Sequence, residues 1–293
     1  MTKTLIILAG GASSRMKKST TTELSEEAMT QANTRSKSLI LVNDRPMMDY
    51  ILYNAKQSGI TDVILVIGPQ AELFKTYYGS KNSANDFHGL TISYATQHIP
   101  EGRKKPLGTA DAVFQALEQY PKLQKNTFLV CNSDNLYSAK AMFALREIAD
   151  DNALISYDRG QLNYPMERIG RFALLKISTE GYVTGIVEKP EADHMAAFKD
   201  TEGHFRVSMN IFKFHGGQFF KHLQHCEMHP LRLEKELPTA IRALIEEDSK
   251  AMKAIPFGEH VPDLTGKNDI NAMNDYLSKH YASLDWNKKP EYL

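Results

Sequence analysis

The sequence is poor in cysteine and tryptophan, with two and one, and has no surplus of charge: 35 Lys and Arg balance 35 Asp and Glu over 293 residues. Two cysteines, Cys131 and Cys226, exclude a disulfide framework and a zinc ligand set. Cys131 ends the apolar run Phe128-Leu129-Val130-Cys131 and reads as a small core residue. Without a basic excess the chain lacks the electrostatic footprint of a nucleic-acid binder. A small phosphate, which needs only a few placed cations, is not excluded. No stretch approaches the ~20 apolar residues of a membrane span. The run Leu5-Ile6-Ile7-Leu8-Ala9 is too short for a signal-peptide core and leads directly into glycines. The expectation is a soluble cytoplasmic protein with no nucleic-acid or membrane partner; homo-oligomerisation is left open.

What is present is an alternation of short apolar runs with amphipathic segments. Thr4–Ala9, Asp62–Ile67, Leu90–Thr96, Thr127–Cys131 and Ala153–Tyr157 read as strands. Met47–Ser58, a segment ending at Tyr78, Thr109–Gln119 and Ala139–Asp150 read as helices, the first with Pro46 at its start and Gly59 past its end. This spacing predicts an α/β fold, a mixed, mostly parallel sheet flanked by helices. From about residue 160 the rhythm changes. Arg171–Ile177 and Tyr182–Glu188 flank a turn as a hairpin would, followed by a strand over Val207–Phe214 and helices near Gln218–Gln224, Leu237–Asp248 and Asn268–Leu284. Met252–Pro256 reads as a further short strand. One domain over 1–293 is expected, with a first part over about 1–160, a smaller substrate-side lobe over about 161–270, and a C-terminal helix and tail over 268–293. The polar stretch Lys17–Ser36 is expected to be exposed and mobile, with Thr20-x-x-Glu23 as a helix cap.

The first strand ends in Leu8-Ala9-Gly10-Gly11-Ala12-Ser13-Ser14-Arg15-Met16. Glycines here let backbone N–H groups close on phosphate oxygens, and Arg15 adds a fixed cation. Ligands of open α/β sheets bind at this edge, beyond the carboxyl ends of the strands. Two familiar phosphate loops do not fit. A Walker A loop needs Gly-Lys-Ser/Thr, but Lys17 precedes Lys18-Ser19; a dinucleotide fingerprint needs a third glycine that Ser13–Met16 lacks.

Leu-Ala-Gly-Gly followed by Ser-Arg-Met resembles the opening signature of the sugar-phosphate nucleotidyltransferases, and further segments keep that family's order. Ser36-Lys37-Ser38-Leu39 through Pro46-Met47-Met48-Asp49 is similar to its lysine and following helix, with Lys37 in the phosphate-contacting role. Gln97 and Pro106-Leu107-Gly108-Thr109-Ala110-Asp111-Ala112, separated by the basic insertion His98–Lys105, resemble the base-reading Gln…Gly-Thr-Ala segment. Phe128–Asn135 places Asp134 where the family's metal-binding aspartate stands, and Val261-Pro262-Asp263 places the second metal ligand at Asp263. Ile186-Val187-Glu188-Lys189-Pro190 resembles the acceptor-binding Glu-Lys-Pro motif, Gly170 the glycine lining that pocket, and Val207–Phe212 the Asn-Ala-Gly-Ile-Tyr segment. Four family residues are replaced: Ser13 and Asn210 stand where glycine is usual, Ser36 where proline is usual and Val261 where tryptophan is usual, and the late Gly-Thr order is altered in Thr265-Gly266.

The resemblance, covering about residues 4–270, implies a Rossmann-like, glycosyltransferase-A-like fold with a smaller sugar-binding lobe. It implies transfer of NMP from an NTP to a sugar 1-phosphate, with Mg²⁺ and release of pyrophosphate. Arg15, Lys37, Asp134 and Lys189 would be catalytic. Leu8, Ala9, Gly10, Gly11, Gln97, Gly108 and Thr109 would bind the nucleotide, and Gly170, Glu188, Lys189 and Asn210 the acceptor. Asp134 and Asp263 would hold the metal. A glycosyltransferase of the same broad fold would usually present Asp-x-Asp where this chain has Asn132-Ser133-Asp134. Transfer to a non-sugar phosphate such as phosphocholine stays open, as does the identity of the nucleobase.

Overall fold

Val63, Ile64, Leu65 and Val66 are all buried, as are Leu5, Ile6 and Ile7 on the neighbouring strand, with no alternation of inside and outside. Such continuous burial is the mark of parallel strands covered on both faces. The computed structural model describes residues 1–11, 13–19, 24–69, 71–170, 172–187 and 198–289. They form two units: a first of Lys3–Pro106, Asn132–Phe143 and Pro262–Leu293, and a second of Met1–Thr2, Leu107–Cys131 and Ala144–Val261.

In chain order the first unit contributes β1 (Thr4–Leu8), β2 (Leu41–Val42), β3 (Arg45–Pro46), β4 (Asp62–Ile67), β5 (Asn85–Phe87) and β6 (Leu90–Thr96). β1 pairs in parallel with β4, Thr4 opposite Asp62, and β4 in parallel with β6, Asp62 opposite Thr91. β5 adds an antiparallel edge through His88-Gly89. The carboxyl ends of β1, β4 and β6 therefore share one edge, from which Gly10, Gly68 and Gln97 emerge. β2 and β3 form a small hairpin around Asn43 and Asp44, whose φ angles of 49° and 61° are those of a type I′ turn.

The second unit holds β7 (Thr127–Asn132) through Cys131, β8 (Ala153–Asp158), β9 (Leu174–Ile177), β10 (Val183–Val187), β11 (Arg206–His215) and β12 (Lys253–Phe257). β11 is its long central strand and runs antiparallel to β7, β8 and β9. β12 runs parallel to β8, and β9–β10 is the hairpin expected from the sequence. Helices Thr109–Gln119, Gly216–Gln224 and Leu237–Glu247 belong to this unit. The chain thus has the mixed, helix-flanked sheet expected of it.

Part of the polar stretch after the glycine turn is helical. Glu26–Thr34 is a helix, capped where the Ser25 hydroxyl accepts the Ala28 N–H at 3.2 Å. Gln31 and Ala32 are buried, and the Gln31 side-chain carbonyl accepts the Leu41 N–H at 2.8 Å, fastening the helix to β2. The Thr20–Glu23 cap lies outside the described residues. At the other end of the chain, the single tryptophan, Trp286, is buried, stacked on His88 with ring centroids 4.3 Å apart and edge-on to Phe87 and Tyr53.

Candidate active site

The glycine turn is built by close approach of three strand ends. Ala9 donates its N–H to the Val66 carbonyl at 2.8 Å, and Gln97 donates its backbone N–H to the Ile67 carbonyl at 2.8 Å. A Cβ on Gly10 would stand 3.1 Å from the Gln97 side-chain oxygen and 3.6 Å from the Gly68 nitrogen. Gly10 and Gln97, separated by 87 positions in the sequence, are thus in contact, and Gln97 is buried. Leu8 and Ala9 form the strand exit, and Gly11 is exposed above it. Arg15 lies exposed on the short helix Ser14–Lys18 that follows.

Ser13 takes φ 53°, a left-handed backbone that glycine adopts more readily than serine. Its hydroxyl accepts the Lys37 N–H at 3.2 Å, a bond glycine could not make, tying the glycine turn to the lysine segment. Ser36 has φ −62° and ψ 143°, and Arg35 before it is extended at φ −90°, ψ 161°. Both suit proline at 36. Ser36→Pro is therefore expected to stabilise the protein by about 0.4–1 kcal/mol through the unfolded chain. A thermal melt that falls rather than rises would show that the Ser36 hydroxyl, 3.3 Å from that of Ser38, outweighs this gain.

Lys37 opens a 3-10 turn and is buried, and its ammonium donates to the Asp134 carboxylate at 2.8 Å. Asp134 follows β7, and its carbonyl accepts the Leu264 N–H at 2.8 Å. An antiparallel bridge joins Asn135 to Asp263, and Leu136 donates to the Pro262 carbonyl. The two segments that carry Asp134 and Asp263 therefore run side by side. Asp263 is held by the Thr265 hydroxyl, 2.8 Å and 2.9 Å from its two oxygens. Thr265 and Gly266 donate their N–H groups to Asp269 at 2.9 and 2.6 Å. Lys267, which sequence reasoning did not single out, is buried with its ammonium on the Ser19 carbonyl at 2.7 Å.

The donor set suits a hard divalent cation. Mg²⁺ typically takes one or two carboxylates plus substrate phosphates rather than a closed protein cage. Asp134, with one oxygen on Lys37 and its side chain a quarter exposed, and Asp263 on the adjoining segment offer that kind of site. Asp200, Glu202 and His204 bring ligand atoms within 4.8 Å of one another in the second unit. That cluster is a turn lock. Asp200 accepts from Arg206 Nε at 2.6 Å and from the Glu202 and His204 N–H groups, and these bonds draw its carboxyl below the usual range despite the opposing effect of desolvation.

In the second unit Gly108 precedes the Thr109–Gln119 helix with φ 117° and ψ −171°, a conformation open essentially to glycine alone. A Cβ there would fall 2.5 Å from the Lys235 carbonyl oxygen. Lys235 accepts from the Ala110 N–H and donates to the Leu107 carbonyl, while the Thr109 hydroxyl accepts the Leu237 N–H at 3.0 Å. Asn210 sits in an irregularity of β11 between Ser208 and Phe212 at φ 59°, so it too keeps a glycine-like backbone, and its N–H donates to the Ser208 hydroxyl. Gly170 ends the short helix Met166–Ile169 with an ordinary φ of −61° and is exposed. Near it, the Arg168 guanidinium lies 4.4 Å over the Tyr164 ring, and Tyr164 donates to the Val261 carbonyl at 2.6 Å. Burial, with Arg168 adding to it, lowers the His260 imidazole's pKa from its usual value, and its Nδ1 accepts the Asn163 N–H at 3.2 Å. Glu188 and Lys189 lie outside the described residues.

The sequence profile of the Nucleotidyl transferase family matches residues 4–283. The chain belongs to that family. Among Nucleotidyl transferase relatives, the bifunctional protein GlmU of Staphylococcus carnosus is 24% identical over 274 residues, 94% of this chain and 51% of that one. D-glycero-alpha-D-manno-heptose 1-phosphate guanylyltransferase of Aneurinibacillus thermoaerophilus is 26% identical over 184 residues, 63% of this chain and 66% of that one. The chain spans about half the length of the staphylococcal relatives it matches. A crystal structure of UDP-glucose pyrophosphorylase complexed with UDP-glucose superposes with a TM-score of 0.70 at 15% identity, covering 96% of this chain and 100% of the other. The likeness at that identity is one of fold, the glycosyltransferase-A-like nucleotidyltransferase fold. Among the described residues no helix is long and apolar enough to cross a membrane.

Proposed function

We propose that this member of the Nucleotidyl transferase family moves NMP from an NTP to a sugar 1-phosphate, giving an NDP-sugar and pyrophosphate with Mg²⁺. The observation that carries the reading is the Lys37–Asp134 ion pair at 2.8 Å, which joins two segments 97 residues apart, beside a glycine turn that Ser13 ties to the same lysine. An anionic acceptor oxygen attacks the α-phosphorus, forming the new P–O bond as the bond to the pyrophosphate oxygen breaks. Because the nucleophile is already charged, the chain needs to supply positioning and charge complementarity rather than a general base.

In this scheme the backbone from Leu8 to Gly11 cradles phosphate, while Gln97 reads the base against Gly10. Gly108 and Thr109 complete the nucleotide contacts. Arg15 and Lys37 balance the charge of the departing pyrophosphate. Asp134 and Asp263 would hold the divalent ion, which when bound neutralises charge at the α-phosphate. Gly170, Glu188, Lys189 and Asn210 are assigned to the acceptor, with Lys189 aiming its phosphate. The guanylyltransferase relative, named for a sugar 1-phosphate, supports this acceptor class. We place the reaction in the cytoplasm, where NTP pools reside.

The test is pyrophosphate release with Mg²⁺, scanning the NTPs against sugar 1-phosphates and phosphocholine. Turnover that requires one NTP and one sugar 1-phosphate is the expected result. Turnover with phosphocholine alone would replace the acceptor, and silence with tight binding of intact nucleotide sugars would favour a glycosyltransferase instead.

A further inference from the structure

Lys267 is 5% exposed. Lysine is almost never buried to this degree without a partner, because an ammonium withdrawn from water must be hydrogen-bonded. Among the described residues, its ammonium and its backbone N–H both reach Ser19. Lys267 Nζ donates to the Ser19 carbonyl at 2.7 Å, and the Lys267 N–H donates to the Ser19 hydroxyl at 3.0 Å. That hydroxyl donates in turn to the Met16 carbonyl at 2.9 Å, and the Ser19 N–H donates to the Arg15 carbonyl at 2.9 Å. The carbonyls at a helix end lack intrahelical donors, and here a buried cation supplies one to the residue that closes the Arg15 helix.

In the other direction Lys267 is four residues from Asp263. The intervening turn is stiffened by the Thr265 and Gly266 N–H groups on Asp269 and by the Thr265 hydroxyl on Asp263. Leu264 continues the path to the Asp134 carbonyl. A single buried lysine thus connects the helix that carries Arg15 to the loop that carries Asp263, which is itself bonded to the Asp134 segment.

We infer that Lys267 is a positioning residue that sets the register between the triphosphate-binding helix and the metal-binding loop, so that nucleotide and divalent ion are bound as one unit. The inference rests on the nucleotidyltransferase reading above. Lys267 itself touches no substrate; it acts through Ser19 and Asp263. Two loops held in register bind a metal–triphosphate complex with the orientation already in place.

The matched control is Lys213, equally buried at 5%, whose ammonium is also held by a backbone carbonyl, that of Ile148, at 2.6 Å. It lies outside the phosphate-binding loops. Initial rates would be measured over NTP and Mg²⁺ for Lys267→Met, Lys267→Arg and Lys213→Met, with equilibrium binding of the Mg–NTP complex by calorimetry. Lys267→Met is expected to raise both KM for the NTP and the half-saturating Mg²⁺ concentration by about tenfold or more. Its kcat at saturation should change less than about threefold, because the interaction is lost equally from ground and transition states. Lys267→Arg should recover most of the loss, and Lys213→Met should lower Tm without moving either constant. If Lys267→Met is too unstable to assay, Ser19→Ala, which removes only the hydroxyl leg, should shift the same two constants by a smaller factor.

Kinetic and binding constants that stay at wild-type values in Lys267→Met, with Tm alone reduced as in Lys213→Met, would overturn the inference. Absence of pyrophosphate release from the wild type would instead overturn the functional reading. The calorimetric comparison would then still decide the role of Lys267.

Discussion

Asp134→Asn is expected to lower turnover by about 10²–10³-fold, the loss typical of a group that stabilises charge only in the transition state. The substitution preserves shape and removes only the charge. The Lys37 ammonium, with a side chain only 10% exposed, would then face a neutral amide. Leaving one member of a sequestered pair without its partner costs about 1–3 kcal/mol. A protein of this size should remain folded with a Tm lower by only a few degrees. Lys37→Met should produce a comparable kinetic loss. The double variant separates a working pair from two independent residues. Groups that act as a unit are strongly non-additive, so Asp134→Asn/Lys37→Met should be little worse than the poorer single variant. Turnover within about tenfold of wild type in Asp134→Asn would remove Asp134 from the metal site. Multiplicative losses in the double variant would show that the 2.8 Å contact does not couple the two groups in catalysis.

Gly108→Ala is the second large effect, and its cause is steric rather than electrostatic. The backbone there occupies a region that L-residues avoid, and the added carbon would meet the Lys235 carbonyl oxygen at 2.5 Å. That oxygen already accepts the Ala110 N–H, so moving it releases the first turn of the Thr109–Gln119 helix. The expected cost is about 3 kcal/mol or more, with activity lost as Thr109 shifts. Gly102→Ala isolates the clash from the conformational strain. Gly102 also has a positive φ, 79°, but among the described residues no atom beyond its chain neighbours lies within 4 Å of the added carbon. That variant should cost only about 1 kcal/mol. Equal destabilisation of the two variants, measured by denaturant titration, would show that the Lys235 segment yields freely and that its contact does not require glycine at 108.

Much of this arrangement is legible in the sequence because it is local. Asp62–Ile67, Leu90–Thr96 and Thr109–Gln119 have the bounds that their apolar patterns imply, since each buries a run or a face long enough to show a period. Glu26–Thr34 escapes such a reading. Only Gln31 and Ala32 of its nine residues are buried, and Gln31 is anchored by its amide rather than by an apolar contact. The β2–β3 hairpin is equally hidden, its strands being two residues long, although Asn43-Asp44 is a fair type I′ signal. Within the candidate site, motif order brings Lys37 to Asp134 and Gly10 to Gln97. The Lys267–Ser19 contact spans 248 residues and joins two segments that no motif pairs, so only the folded chain discloses it. Ser13 and Asn210 teach the converse lesson. Each breaks the expected glycine pattern, yet each has a positive φ, a backbone that glycine would also adopt.

The lone tryptophan gives the molecule an internal optical reporter. Trp286 is buried against His88, Phe87 and Tyr53, and its carbonyl accepts from Lys56, all within the unit that carries the glycine turn, Lys37 and both candidate metal carboxylates. Its emission therefore follows the integrity of that unit alone, without a label. Far-ultraviolet circular dichroism follows both halves at once. Superimposing the two signals during denaturation shows directly whether this chain melts in one cooperative step or in two.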